Sequence, residues 1–96
     1  DAVKKKVYDA VNDAVNDAVN DAVIDRLINE VLLLIVEDSK SLKDLMNTFD
    51  VARATMQRDV ALLKAHQFVV FEGAAKSGVY RLTEEFKLKL DINKIK

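Results

Sequence analysis

Apolar residues recur at every fourth position from the start of the chain: Val3, Val7, Val11, Val15, Val19, Val23, Leu27 and Val31. Within this run Asp-Ala-Val-Asn repeats from Asp9 to Asn20, and Asp21-Ala22-Val23 opens a further copy that ends in Ile24. A four-residue step keeps successive valines on neighbouring turns of a helix, with alanine beside them and Asp or Asn opposite. A strand would point valine and alanine to opposite faces and mix each face with Asp or Asn, so the strand reading fails. No Gly or Pro interrupts the stretch, and the pattern predicts one long helix over residues 1–37, roughly 55 Å in length. Two features weaken that helix. Val, Asn and Asp are poor helix formers, and an Asp ladder at i,i+4 sets like charges together. Each step also overshoots a full turn by about 40°, so the valine stripe winds around the cylinder, as in a right-handed supercoil. The functional reading is an oligomerisation rod; the bland one is a frayed spacer.

Beyond the repeats the apolar face broadens. Val23, Ile24, Leu27, Ile28, Val31, Leu32, Leu34 and Ile35 line one side of a helix, which Glu37-Asp38-Ser39-Lys40 ends. Ser41-Leu42-Lys43-Asp44 has the form of a capping box and opens a short helix with Leu42, Leu45 and Met46 inward. Thr48-Phe49-Asp50 makes a tight turn, with Asp50 placed to cap the next helix. That third helix runs to about His66, with Met56, Val60 and Leu63 as its apolar stripe and Arg53, Ala54, Gln57, Arg58 and Lys64 on the opposite side. After Gln67 the period changes to two. Residues 68–71 and 79–82 are β-rich runs around a loop holding Gly73, Lys76 and Gly78, which predicts a hairpin. Phe68, Phe71 and Tyr80 fit cross-strand packing better than base stacking. The tail is ambiguous: Phe86, Leu88, Leu90 and Ile92 alternate as in a strand, yet Thr83-Glu84-Glu85 is a good helix start.

The expected fold is therefore mainly α with a small β-hairpin. A long N-terminal helix, with a repeat-containing arm at 1–20, precedes a helix-helix-helix-hairpin body at 21–82 and a tail element at 83–96. Ninety-six residues make one small domain. Fifteen basic and sixteen acidic residues give a net charge of −1, so there is no uniformly basic coat. The charge is split, however: residues 1–37 hold four basic and eight acidic groups, and the remainder eleven and eight. Only the body could approach a polyanion.

Without cysteine there is no disulfide framework, thiolate metal site or cysteine nucleophile. The single histidine, His66, has no convergent partners and reads as a helix-end residue, neither ligand nor base. The Asp/Asn ladder lacks the glycine turn and ligand spacing of a calcium loop. No metal, cofactor, small-molecule substrate or catalytic residue is expected, and the chain is not expected to be an enzyme. The longest apolar run, 31–36, is too short to cross a bilayer, so no membrane partner is expected and the expected location is the cytoplasm. Beginning at Asp1, the chain is expected to be a fragment of a longer protein.

Residues 42–70 resemble the helix-turn-helix of bacterial repressors of the DeoR type, in which a Gly-Val-Ser turn leads into a helix opened by Thr and carrying an Arg-Asp pair. The matching residues are Asp50-Val51-Ala52 and the run from Thr55 through Arg58-Asp59 to Leu63. Lys76-Ser77-Gly78-Val79-Tyr80-Arg81-Leu82-Thr83 resembles the glycine-aromatic wing of the same class. Repeats preceding such a module are similar to the C-terminal regions of bacterial Fic-type and RecG-related helicase proteins, whose enzymatic part lies upstream. Three positions depart from the pattern: Asp50 and Gln67 stand where Gly is usual, and Ala52 replaces a Ser that would cap the third helix.

The resemblance implies a winged helix-turn-helix that binds double-stranded DNA as a transcription-regulator module at the C-terminus of a larger bacterial protein. Arg53, Ala54, Thr55, Gln57 and Arg58 would face the major groove, with Lys76, Ser77 and Arg81 in or beside the wing. The chemistry fits: Arg can bind guanine, Gln adenine, and Thr or Lys a phosphate. The rival reading is a protein-interaction or oligomerisation module that keeps the fold without DNA. A homo-oligomer through the N-terminal repeats or the tail is also expected.

Overall fold

The computed structural model describes residues 2–15 and 17–91. Asp1, Asn16 of the repeats and Ile92 of the tail pattern lie outside the described residues. Five helices and three short strands run in the order α1 (Ala2–Val15), α2 (Asp21–Glu37), β1 (Ser39–Lys40), α3 (Leu42–Phe49), α4 (Arg53–Ala65), β2 (Val69–Glu72), β3 (Val79–Leu82) and α5 (Glu84–Leu90). The strands form one antiparallel sheet in the order β1-β3-β2, with Phe71 opposite Tyr80 and Lys40 also opposite Tyr80. The protein is mainly helical with this small sheet. Among the described residues no helix is long and apolar enough to cross a membrane.

The long N-terminal helix expected over 1–37 is corrected: the chain forms two helices packed against each other. The carbonyl of Val15 accepts from the amides of Ala18 and Val19, and Asn20 then turns extended. Its side chain accepts from the amide of Val23 at 3.0 Å, a local cap that starts α2 afresh. The winding stripe explains why a break is favoured. A straight 37-residue cylinder would carry its valines around to solvent, whereas two shorter helices hold both apolar faces against one core. Val7, Val11 and Val15 are buried there with Ile24, Leu27, Val31 and Leu34 of α2. The tail joins the same core through Phe86 and Leu90 of α5, and Phe86 stacks on Phe68 at 4.2 Å. The valine surface that a rod would offer to other copies is thus used inside the chain.

Capping chemistry sets the remaining boundaries. Ser41 accepts from the amide of Asp44 to start α3. Thr83 accepts from the amide of Phe86 to start α5 and donates to the carbonyl of Gln67, so Glu84–Leu90 of the tail is a helix tied to the segment just after α4. Asp50 does not cap the helix after it. It closes α3 in the left-handed conformation (φ 54°), and its N–H donates to Met46. Ala52 is the N-cap of α4 and supplies no side-chain bond. Gln67 is also left-handed, at φ 62°. All three positions that depart from the repressor pattern carry the backbone geometry of the residue that is absent. β1 had no signal in the sequence, being two polar residues whose only regular feature is pairing with β3.

Val7→Ala and Val11→Ala should each lower unfolding free energy by roughly 1–3 kcal/mol in urea titrations, where a free spacer would be indifferent. Ala52→Ser should raise stability by about 1 kcal/mol by capping α4, and Gln67→Gly by about 0.5–1 kcal/mol by relieving the left-handed strain.

Candidate nucleic-acid interface

The third helix of the body, α4, is held in place by charge. Arg26 on α2 donates from Nε and Nη2 to the two carboxylate oxygens of Asp59 on α4, at 2.5 and 2.9 Å. Asp59 is buried, and the paired geometry fixes both position and rotation of α4 against α2. The hydrogen bonds to Asp59 raise the pKa of Arg26. One turn from Arg26, Glu30 is buried with Arg26 Nε 3.8 Å away, and neither of its carboxyl oxygens has a hydrogen-bond partner among the described residues. Burial first, and Asp59 beside it second, push its pKa up to about 10, so Glu30 is neutral at physiological pH.

With Asp59 inward beside Met56, Val60 and Leu63, the opposite side of α4 is presented outward. Arg53, Gln57 and Lys64 fall on one stripe of that side, at spacings of four and seven residues. They form one wall of a cleft of about 850 Å³. Ser41 and Lys43 at the start of α3 and Lys76 and Ser77 of the β2–β3 loop line the same cleft. Leu42, Phe71 and Tyr80 lie between them. Gln57, Lys64 and Tyr80 also line a second hollow of about 440 Å³ along the flank of α4, so the groove continues past the helix.

The electrostatics of the cleft are one-sided. Lys43, Arg53, Lys64 and Lys76 line it, and among the described residues no carboxylate does. None of these four forms an ion pair among the described residues, whereas Lys40 pairs with Glu37, Lys87 with Glu84 and Lys6 with Asp91. Uncompensated cations in a concave surface concentrate positive potential there. The first turn of α4, uncapped by any side chain, adds the positive end of a helix dipole.

Four of the eight residues expected at the interface, Arg53, Gln57, Lys76 and Ser77, come together in the cleft. Ala54 and Arg58 are exposed on the neighbouring flank of α4, and Thr55 is half-buried in its first turn. Arg81 faces elsewhere: it pairs with Glu72 at 3.4 Å and Asp38 at 3.6 Å and does not line the cleft. Sequence reasoning missed Ser41, Lys43 and Lys64 as contributors. The i,i+4,i+11 spacing from Arg53 was a usable signal for Lys64; Ser41 and Lys43 reach the cleft only through the packing of α3 on α4. His66 is exposed at the end of α4, with its ring 5.9 Å from that of Phe68.

The neutral Glu30 makes stability depend on pH. The folded state keeps this proton while the unfolded chain releases it above the ordinary carboxylate range, so stability is greatest below about pH 4.5 as far as this group is concerned and declines as pH rises toward about 10. The slope is at most about 1.4 kcal/mol per pH unit. Glu30→Gln, which mimics the protonated group, should flatten that decline between pH 6 and pH 9 in urea titrations; equal slopes in the two proteins would show that Glu30 ionises in the fold. No family model matches the chain and no curated protein matches it, so the reading of the cleft rests on its own geometry.

Proposed function

We propose that residues 21–82 form a winged helix-turn-helix that binds double-stranded DNA as a transcription-regulator module. In this reading α3 and α4 are the helix-turn-helix and the β2–β3 loop is the wing. The observation that carries it is the cleft with four unpaired cations and no carboxylate, built by the helix and loop that such a module turns toward DNA. α4 enters the major groove with Arg53 and Gln57 toward base edges, and Arg58 on its outer flank faces the groove wall. Lys43, Lys64 and Lys76 hold phosphates on either side. The ion pairs of Arg81 assign it to the sheet, where it ties β3 to Glu72 and to Asp38 beside β1.

The test is selection from a random duplex pool, followed by titration of the enriched duplex at two salt concentrations. Lys64→Ala and Lys76→Ala should weaken binding evenly across sequences and lower the log-log salt slope by about one each. Gln57→Ala should cost about 1–3 kcal/mol on the selected duplex and relax preference at one position. Arg81→Ala should leave the salt slope unchanged. A pool that enriches no sequence, with no binding at low salt, would sink the DNA reading and leave a protein-interaction module.

A further inference from the structure

We propose that the cleft between α4 and the β2–β3 loop holds an unpaired nucleotide, which makes a duplex carrying a single-stranded overhang a better ligand than a blunt duplex. This rests on the nucleic-acid reading of the cleft and goes beyond it. Intact duplex DNA offers a protein phosphates, sugars and base edges; its base faces are covered by stacking. The walls of the cleft suit that surface, but its floor does not. Leu42, Phe71 and Tyr80 are half-buried and uncharged, and apart from the Tyr80 hydroxyl they offer a phosphate no polar group.

Phe71 and Tyr80 bring two aromatic rings to the lining of the cleft. Phe71 and Tyr80 are cross-strand partners with ring centroids 4.9 Å apart and planes tilted by 57°. The wing holds the Phe71 ring in place. A Cβ built on Gly78 would collide with the ring tip of Phe71, so only glycine lets the returning strand pass beneath it. Tyr80 packs against both apolar clusters of the protein and is fixed from below. An unstacked base has a free face for such rings, and Lys43, Arg53, Lys64 and Lys76 line the same cleft as cations for the phosphates of a single strand. The volume of the cleft, about 850 Å³, is ample for a nucleotide.

Fluorescence anisotropy on the intact chain tests this with three probes of one sequence: a blunt duplex, the same duplex with a short overhang, and the free single strand. The overhang duplex should bind about tenfold more tightly than the blunt one, and 2-aminopurine at the first unpaired position should change its emission on binding. Phe71→Leu and Tyr80→Leu, both apolar but lacking a ring, should each bring the overhang duplex to the affinity of the blunt duplex measured on the same variant and abolish the emission change. Circular dichroism confirms the fold of each; Phe71→Leu suffices if Tyr80→Leu destabilises the core. Equal affinity for blunt and overhang duplexes would overturn the inference and leave duplex binding intact. Absence of binding to all three probes at low salt would overturn both.

Discussion

The bidentate pair between Arg26 and Asp59 is the contact on which the exposed surface depends. Helix packing alone leaves α4 free to roll, because Met56, Val60 and Leu63 make a stripe that several rotations would bury. A buried carboxylate bound at both oxygens by a guanidinium allows one rotation only. That rotation sets which residues face the cleft: with Asp59 inward, Gln57 and Arg53 are outward on one flank and Arg58 on the next. Desolvating these charges is costly, and the neighbouring Glu30 would add a second buried negative charge if it ionised. Its proton removes that conflict, so a single arginine meets a single carboxylate.

The N-terminal repeats supply the platform for α2, which carries Arg26. α2 carries one broad apolar face of Ile24, Leu27, Ile28, Val31 and Leu34, all of them buried. α1 packs against it with Val7, Ala10, Val11 and Val15, and α5 adds Phe86 and Leu90 from the other end of the chain. Residues of low helix propensity can serve here because tertiary burial, not intrinsic preference, holds the helix. The same burial tolerates the exposed Asp ladder, whose repulsion costs only a few tenths of a kcal/mol per pair.

Much of this was legible in the sequence. Helix periods, the Ser41 and Thr83 caps, the hairpin around Gly73 and Gly78, and the stripe of Met56, Val60 and Leu63 are local signals, and local signals survive into the structure. Non-local facts did not show. A four-residue repeat specifies a helical face without specifying where the chain doubles back. β1 consists of two polar residues defined by their partners. Asp59 reads as one more polar residue next to Arg58, and nothing in its surroundings names Arg26, thirty-three positions earlier, as its mate. Of the candidate interface, Arg53, Gln57, Lys76 and Ser77 were found by type and position, while Lys43 needed the packing of α3 on α4. Arg81 could be assigned to the sheet only once Glu72 and Asp38 were seen beside it.

That contrast between Arg81 and the cleft cations also bears on how a net charge of −1 fits the proposed affinity for a polyanion. Net charge describes the molecule at a distance; a bound strand meets local charge. Several cations of this chain are cancelled by carboxylates within reach, and the four that line the cleft are not. The sixteen acids are spread along the chain, eight of them within residues 1–37, and none of the described ones lines the cleft. Their field reaches a strand in the cleft through solvent, where the screening length is about 8 Å at physiological ionic strength. The cleft cations would touch phosphates directly and release condensed counterions, a gain that distant aspartates do not cancel. A chain that is acidic overall can therefore hold a cationic groove, provided the fold keeps its carboxylates out of the groove's lining.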